Sequence, residues 1–419
     1  MATISAFLRH FEFQTKRGIT AIDPQMAEAA IEARVSRQPA ETRPLAGCLR
    51  QTLRQDVYAE RDNPPFDRVC MDGIAIRSDA LSRGVRRFAL QATQPAGAPA
   101  LTLEDVAAAI EVMTGAMLPV GTDCVIPLEE YDLDGRIVTL TSSAQGEPDR
   151  NVQRRGSDSR PGVPMLRAGV RLHAPEIAVV ASAGLAAASV SRQPRFMVVS
   201  TGDELIEPGQ PIAPHQVRRS NAYAIVAALT GHGFEEVRTD HLLDDERLLR
   251  ERLAEHLALS DVLILSGGVS KGKFDFVPKV LKELGVAEVF YQVAQRPGMP
   301  MWFGVSPSGC AVFGLPGNPI ATLVCLVRYV VPALLAAMGT QRRVPVRIAL
   351  AAPIPRGRPM ASFIPVTVQY DDQGHHLAHP HQPNGSGDFL ALAGTDGFVE
   401  LPPQAAPYPA GFVATLYRW

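Results

Sequence analysis

The order of apolar and polar positions changes texture several times along the chain, and each change marks a different kind of element. From residue 194 to 341, short continuous apolar runs alternate with segments of helical period. Residues 196–199, 262–265 and 311–313 are too short for helices and read as strands buried on both faces. Between them, 221–229 has helical spacing, capped by Ser220 or Asn221 and stopped near Gly231. Residues 245–259 place Leu248, Leu249, Leu253 and Leu257 on one face, and further helices are expected at 278–284 and after Pro319. Strands and helices alternating at this size predict a doubly wound, mostly parallel sheet. Residues 46–150 instead carry short alternating runs (74–76, 88–90, 124–126, 137–140) broken by Pro and Gly, the pattern of an inserted β-rich domain. Residues 342–419 return to that texture at 346–350, 364–368, 397–401 and 412–417, a C-terminal β domain. Residues 1–45 read as helical from Asp23-Pro24 onward. The polar, turn-rich stretch 151–162 crosses back to that first region and is followed by a small-residue helix at 175–187, so 1–45 and 151–193 form one discontinuous linking domain. The fold class expected is α/β and multi-domain.

Composition narrows the class. Of 419 residues, 46% are hydrophobic and 20% charged, as in a soluble globular protein. A net charge of −2 gives no pull toward nucleic acid or an anionic membrane. The apolar tract 319–337 is interrupted by Arg328 and Pro332 and reads as a core helix rather than a span. The start, MATISAFLRHFEF, lacks a basic segment, apolar core and cleavage site, so a cytoplasmic location is expected. Cys48, Cys70, Cys124, Cys310 and Cys325 form no CxxC pair, and four of them sit among small or apolar neighbours as buried thiols would. His375, His376, His379 and His381 fall in a predicted surface loop.

In a parallel sheet the loops leaving the carboxyl ends share one edge, where ligands bind. Three such loops are unusual here: Thr201-Gly202-Asp203-Glu204, the stretch from Ser266 to Asp275, and Leu315-Pro316-Gly317-Asn318-Pro319. Gly267, Gly268 and Gly272 permit tight turns with N–H groups near an anion, and Ser266 and Ser270 add hydroxyl donors. Asp203, Glu204, Asp275, and Asp244 or Asp245, are carboxylates suited to Mg²⁺ beside substrate phosphates. The third loop, opening a helix, suits an anion. Singly, each also fits a helix cap, a chain reversal or an ordinary strand–loop–helix corner.

Together with Met71-Asp72-Gly73, Met113-Thr114-Gly115 and Ser220-Asn221, these loops stand in the order found in molybdopterin molybdenumtransferases. The chain resembles that family, MoeA, which includes the C-terminal part of gephyrin, over nearly its whole length. The resemblance implies four domains, a homodimer, and Mg²⁺-dependent conversion of adenylylated molybdopterin and molybdate into molybdenum cofactor with release of AMP. It implies catalytic roles for Asp72, Thr114, Asp158, Glu204 and Asp275, with Asp72 and Thr114 approaching from the second subunit. Metal contacts would come from Glu204, Asp244, Asp245 and Asp275. Substrate contacts would come from Ser266, Gly267, Gly268, Ser270, Gly272, Lys273, Arg296, Pro316, Gly317, Asn318, Pro319 and Ser386.

The sequence departs from the family at several of these points. Where Lys-Pro-Gly-Lys-Pro is usual, the chain reads Arg296-Pro297-Gly298-Met299-Pro300, keeping one cation and losing the other. Ile320-Ala321 replaces Val-Ser, Ile74 stands where Tyr is common, and Ala361-Ser362-Phe363-Ile364-Pro365 replaces a charged Arg-Glu-Phe-Leu-Arg-like stretch. Lys271 and Lys273 are the expected compensating cations. Met299 and Ala321 motivate one alternative, a paralogue that binds the pterin nucleotide but inserts tungstate or inserts metal poorly; the resemblance to gephyrin, with its receptor-clustering role, gives a second, a non-catalytic scaffold.

Overall fold

The computed structural model describes residues 13–14, 20–268, 276–342, 344–355, 357–385 and 387–419. The chain divides into two compact units, one formed by Gln55–Ala168 with Ala174–Ala188, the other by the rest. The first unit is built on a six-stranded sheet in the order Tyr131–Asp134, Ile137–Leu140, Arg87–Gln94, Ala108–Val112, Gly73–Ile76, Cys124–Pro127. Alternation along Gly73–Ile76 sends Ile74 and Ile76 into a cluster with Phe88 and Val138 and turns Ala75 toward Ile110 and Val125. In the stretch 151–162, Val152–Gln153 forms a strand that pairs with Arg68–Val69.

The second unit contains the α/β sheet: β1 (Phe196–Thr201), α1 (Ser220–Gly231), β2 (Val237–Leu242), α2 (Glu246–Leu259), β3 (Val262–Ser266), α3 (Val277–Glu283), β4 (Ala287–Tyr291), β5 (Trp302–Val305) and β6 (Ala311–Leu315). The strand order is β2-β1-β3-β6-β5-β4. β2, β1, β3 and β6 pair in parallel, while β5 runs against both its neighbours, so the sheet is mostly parallel. A one-residue alternation serves both faces. Phe196, Val198 and Ile264 pack under α1 and the 319–337 helix, and Val199, Leu263 and Leu265 pack under α2 and α3. From β1 the chain moves outward to β2 and then returns across to β3, which puts the reversal of strand order between β1 and β3.

The helix Pro319–Ala337 is long and apolar enough to span a membrane by composition, but 78% of it is buried inside the protein. Its middle turn, Leu326–Val330, is a π turn. Pro332 has no N–H to give to Arg328 and its ring crowds that carbonyl, and the widened turn accommodates it. Beyond it, Val346–Leu350, Ala361–Tyr370, His376–Pro380, Gly397–Leu401 and Val413–Arg418 close into a barrel, because Gly397–Leu401 pairs with both Ala361–Tyr370 and Val413–Arg418. The histidine-rich segment expected as a loop is therefore in part a barrel strand.

Two helix expectations are also corrected. The first helix is Pro24–Glu32, started by an Asp23 side chain that accepts from the Gln25 N–H, and residues Ala40–Pro44 form a strand instead. Pro39 lies between them and pushes its predecessor into extended backbone. The helix expected at 175–187 is Ala174–Ser182, ended near Gly184 at φ +81°, and Ala187–Ser191 is a strand.

Candidate functional site

β1, β3 and β6 are neighbours, so Thr201, Ser266 and Leu315 end side by side and their loops meet on one edge. The approach is close enough to require glycine. A Cβ on Gly267 would stand 2.9 Å from the Thr201 carbonyl oxygen and one on Gly268 2.5 Å from Thr201 Oγ1, and both residues have positive φ. Asn221, in the first turn of α1, joins the second and third loops: its Nδ2 donates to Ser266 Oγ (2.9 Å) and to the Gly317 carbonyl (2.8 Å). Thr322 Oγ1 donates to the carbonyls of Pro316 (2.6 Å) and Asn318 (3.0 Å), and Pro319 opens the helix at a position where an N–H is not needed. Ser200 Oγ, Thr201 Oγ1 and Asn221 Oδ1 are buried at this edge with no hydrogen-bond partner among the described residues. Each such atom costs about 1–3 kcal/mol, which a polar ligand can recover.

The carboxylates are arranged less simply than their sequence positions suggest. Asp245 caps α2, its Oδ1 accepting from the Leu248 N–H (2.8 Å). Asp203 Oδ1 accepts from the Asp244 N–H (3.0 Å), tying the first loop to the head of α2. The Glu204 carboxylate folds against Gly202, where a Cβ would stand 2.5 Å from Oε2, and His241 Nε2 lies 2.9 Å from the Gly202 carbonyl. Asp203 and Glu204 are exposed at the rim. Among the described residues no group of three or more His, Cys, Asp or Glu side chains is spaced to hold a metal ion. Ser270, Lys271, Gly272, Lys273, Asp275 and Ser386 lie outside the described residues.

From the third loop a cleft of about 510 Å³ opens, with Pro316 and Asn318 on its wall. Arg296 and Arg358 also line it, no carboxylate does among the described residues, and Met299 and Ala321 occupy the positions the sequence marks as departures. Ser362 is 5% exposed, and its Oγ is buried without a partner among the described residues. The loop carrying Arg296 is fixed from below by Gln295, which accepts from the Tyr329 hydroxyl and donates to the Pro297 carbonyl (3.1 Å). It is fixed from the side by pairing of Gln295 and Arg296 with Ala361 and Ser362. Gly298 is required there, since a Cβ would stand 2.6 Å from Cys325 Sγ and 2.7 Å from Gln295 Nε2. Arg358 and Ser362 were not expected as site residues. The basic residue in the Gly357-Arg358-Pro359 turn just ahead of the 361–370 strand is the signal that was available.

In the other unit, Asp72 and Thr114 come together although 42 residues apart: Asp72 Oδ1 accepts from the Thr114 N–H (2.6 Å) and from its hydroxyl (2.8 Å). These two bonds, the backbone one first, hold the exposed Asp72 carboxyl below its ordinary range. Asp158 Oδ1 accepts from Gln153 Nε2 (2.7 Å) and Ser157 Oγ (3.1 Å), in a loop where Arg155 pairs with Asp62 and Arg154 with Asp67.

Comparison with known proteins agrees with this arrangement. Residues 22–184 match the MoeA N-terminal region (domain I and II), 197–336 a probable molybdopterin binding domain, and 347–419 the MoeA C-terminal region (domain IV). The molybdopterin molybdenumtransferase of Synechocystis sp. is 38% identical over 374 residues, 89% of this chain and 93% of that protein. The one from Bacillus subtilis is 28% identical over 88% of this chain and 87% of its own. Two solved structures of the molybdopterin biosynthesis MoeA protein from Pyrococcus horikoshii superpose with TM-scores of 0.76 and 0.78 at 27% and 24% identity, each over 95% of this chain. With 38% identity over nearly the full length of both chains, this chain belongs to the molybdopterin molybdenumtransferase (MoeA) family of molybdenum cofactor biosynthesis enzymes.

Proposed function

We propose that the chain inserts molybdate into adenylylated molybdopterin and releases AMP, acting in the cytoplasm as a homodimer with the four-domain division expected from its sequence. The observation that carries this reading is the continuity of the strand-end loops with the cleft through Pro316 and Asn318. One side offers unpaired Ser200, Thr201 and Asn221 oxygens. The other offers Arg296, Arg358 and the unpaired Ser362 hydroxyl. The first suits a phosphorylated pterin and the second a tetrahedral oxyanion. In the reaction an oxygen derived from molybdate attacks the pterin-side phosphorus of the phosphoanhydride and forms a P–O bond to it, the P–O bond to AMP breaks, and AMP leaves with the electron pair. Little covalent chemistry falls to the protein, whose part is to position anions and offset their charge.

In this reading the N–H groups of Gly267 and Gly268 and the Ser266 hydroxyl face substrate phosphate. Asn221 sets the spacing of the second and third loops, and Arg296, Arg358 and Ser362 hold the oxyanion. The exposed carboxylates Asp203 and Glu204, with no cage of protein ligands among the described residues, fit Mg²⁺, which takes most of its oxygens from phosphate and water. When bound it would offset phosphate charge. Asp275 is carried as a further ligand, and the partner subunit's Asp72 and the partner subunit's Thr114 as contacts to the pterin.

The test is to incubate the full chain with adenylylated molybdopterin, Mg²⁺ and molybdate and to follow AMP. Molybdate-dependent AMP release is expected. Tight pterin binding with no AMP released would overturn the reading. Release driven by tungstate in preference to molybdate would replace it with the paralogue suggested by Met299.

A further inference from the structure

The opposite edge of the α/β sheet carries a second concave feature. Arg195, Asp261 and Cys310 immediately precede β1, β3 and β6, so the amino ends of the same three strands converge on a pocket of about 160 Å³. A strand of five or six residues at about 3.3 Å per residue puts this pocket some 15–20 Å from the strand-end loops.

Its charge is unbalanced. Asp261 is fully engaged, accepting from the Arg195 N–H (2.8 Å), from Arg195 Nε (3.2 Å) and Nη2 (3.1 Å), and from Arg192 Nη1 (3.0 Å). The free edge of Arg192 is held by Gln38 Oε1 (2.8 Å). One carboxylate thus neutralises half of two fixed guanidinium charges, with Glu236 more distant on the Arg195 side. Arg37 lines the same pocket and has no hydrogen bond or ion pair among the described residues. It also stands beside another cation: Arg37 Nη2 and Arg54 Nε lie 3.7 and 3.5 Å from one point above Gly339. Among the described residues Arg54 is anchored by the Gln38 carbonyl and Ser191 Oγ, at 2.7 Å each. Three arginines of the lining, Arg37, Arg192 and Arg195, therefore share one carboxylate, with Arg54 next to Arg37 outside it. Among the described residues Asp261 is the one carboxylate in that lining, so folding leaves its cations in excess.

We propose that this pocket binds a phosphate group, with Arg37 as the free cation that closes on it and Arg192 and Arg195 as the pre-set wall. Arginine forks suit a tetrahedral oxyanion, and guanidinium groups already locked by Asp261 and Gln38 lose little freedom on binding. Ser260 and Ser308 add hydroxyls to the lining. The volume equals roughly five waters at about 30 Å³ each, enough for one phosphate with a little solvent and too small for a nucleoside. A phosphorylated metabolite would therefore be held by its terminal phosphate, with its body outside.

The experiment is calorimetric titration of the full chain with inorganic phosphate at low ionic strength, read without turnover so that it stands apart from the molybdate assay. Saturable binding is expected. Arg37→Glu should weaken it at least tenfold and Arg37→Ala several-fold, at an unchanged melting temperature. Asn221→Ala, on the other edge, should leave the affinity as it is. Glycerol 2-phosphate as a second probe identifies the source. Binding equal to phosphate means the pocket takes a phosphomonoester, and no binding means it takes the free ion; either outcome supports the pocket. No saturable binding, or the same affinity in Arg37→Glu as in the unsubstituted chain, overturns the proposal.

Discussion

Asn221 shows how much at the strand-end site rests on single polar atoms. Its Nδ2 makes two bonds, to Ser266 and Gly317, that hold two loops at one spacing, while its Oδ1 is buried with no partner among the described residues. Asn221→Ala removes both bonds and the orphan acceptor together, so its cost in stability is expected to be modest, about 1 kcal/mol. Its cost in catalysis is expected to be larger, a 10-fold or greater fall in AMP formation, because a loop displaced by an ångström loses its alignment with phosphate. Activity within twofold of the unsubstituted chain would remove Asn221 from the site. Ser266, Gly267, Gly268, Pro316, Gly317, Asn318 and Pro319 could be picked out in the sequence because glycines and prolines at strand ends have a local reason to be there. Ser362 could not. Ser362 is one serine in an apolar strand, and it becomes a candidate only when the barrel and the 319–337 helix leave its hydroxyl without a partner.

Elements were legible where one period governs them. β1, β3 and β6 begin within a residue or so of the expected positions because each is a short apolar run bounded by polar residues. The reversed direction of β5 was not legible, since the chain's return from β4 is decided by a turn and by pairing, not by hydropathy. Nor was the anchoring of strand starts. Burial raises the Asp261 carboxyl, and hydrogen bonds from Arg195 and Arg192 outweigh this, taking it from an ordinary 3.8 to about 2. A depressed carboxylate contributes stability that is present above its unfolded value and is lost as pH falls through its folded one. The window is therefore about pH 4 down to 2, and the contribution at neutral pH is about 2 kcal/mol. Asp261→Asn should lower the denaturation midpoint at pH 7 and make the difference from the unsubstituted chain shrink across that window. A difference independent of pH would mean that Asp261 acts through packing alone.

At the scale of the larger unit, one buried cation ties three separated stretches of sequence. Arg328, 4% exposed in the π turn, pairs with Glu28 of the Pro24–Glu32 helix and with Glu400 of the barrel, both at 2.8 Å. Its guanidinium lies 5.0 and 5.1 Å from the ring centres of Tyr329 and Tyr417. In sequence Arg328 read only as an interruption that argued against a membrane span, because its partners are 300 and 72 residues away. Its position has a consequence for the cleft, whose walls are the start of the 319–337 helix and the barrel strand bearing Ser362; Glu400 lies on the neighbouring strand, opposite Phe363. Arg328→Met keeps the volume and leaves two half-buried carboxylates short of a cation, Glu28 keeping Arg342 and Glu400 keeping the Tyr417 hydroxyl, a change expected to cost about 3 kcal/mol. Adding Glu28→Gln and Glu400→Gln removes the stranded charges and should restore most of that, since the pairing rather than the bulk is what was lost. If the clamp also sets the cleft, the single variant measured well below its unfolding transition should show a raised molybdate KM, and the triple variant should keep that defect after its stability has recovered. Recovery of KM together with stability would mean that Arg328 holds the fold and that the cleft walls find their spacing without it.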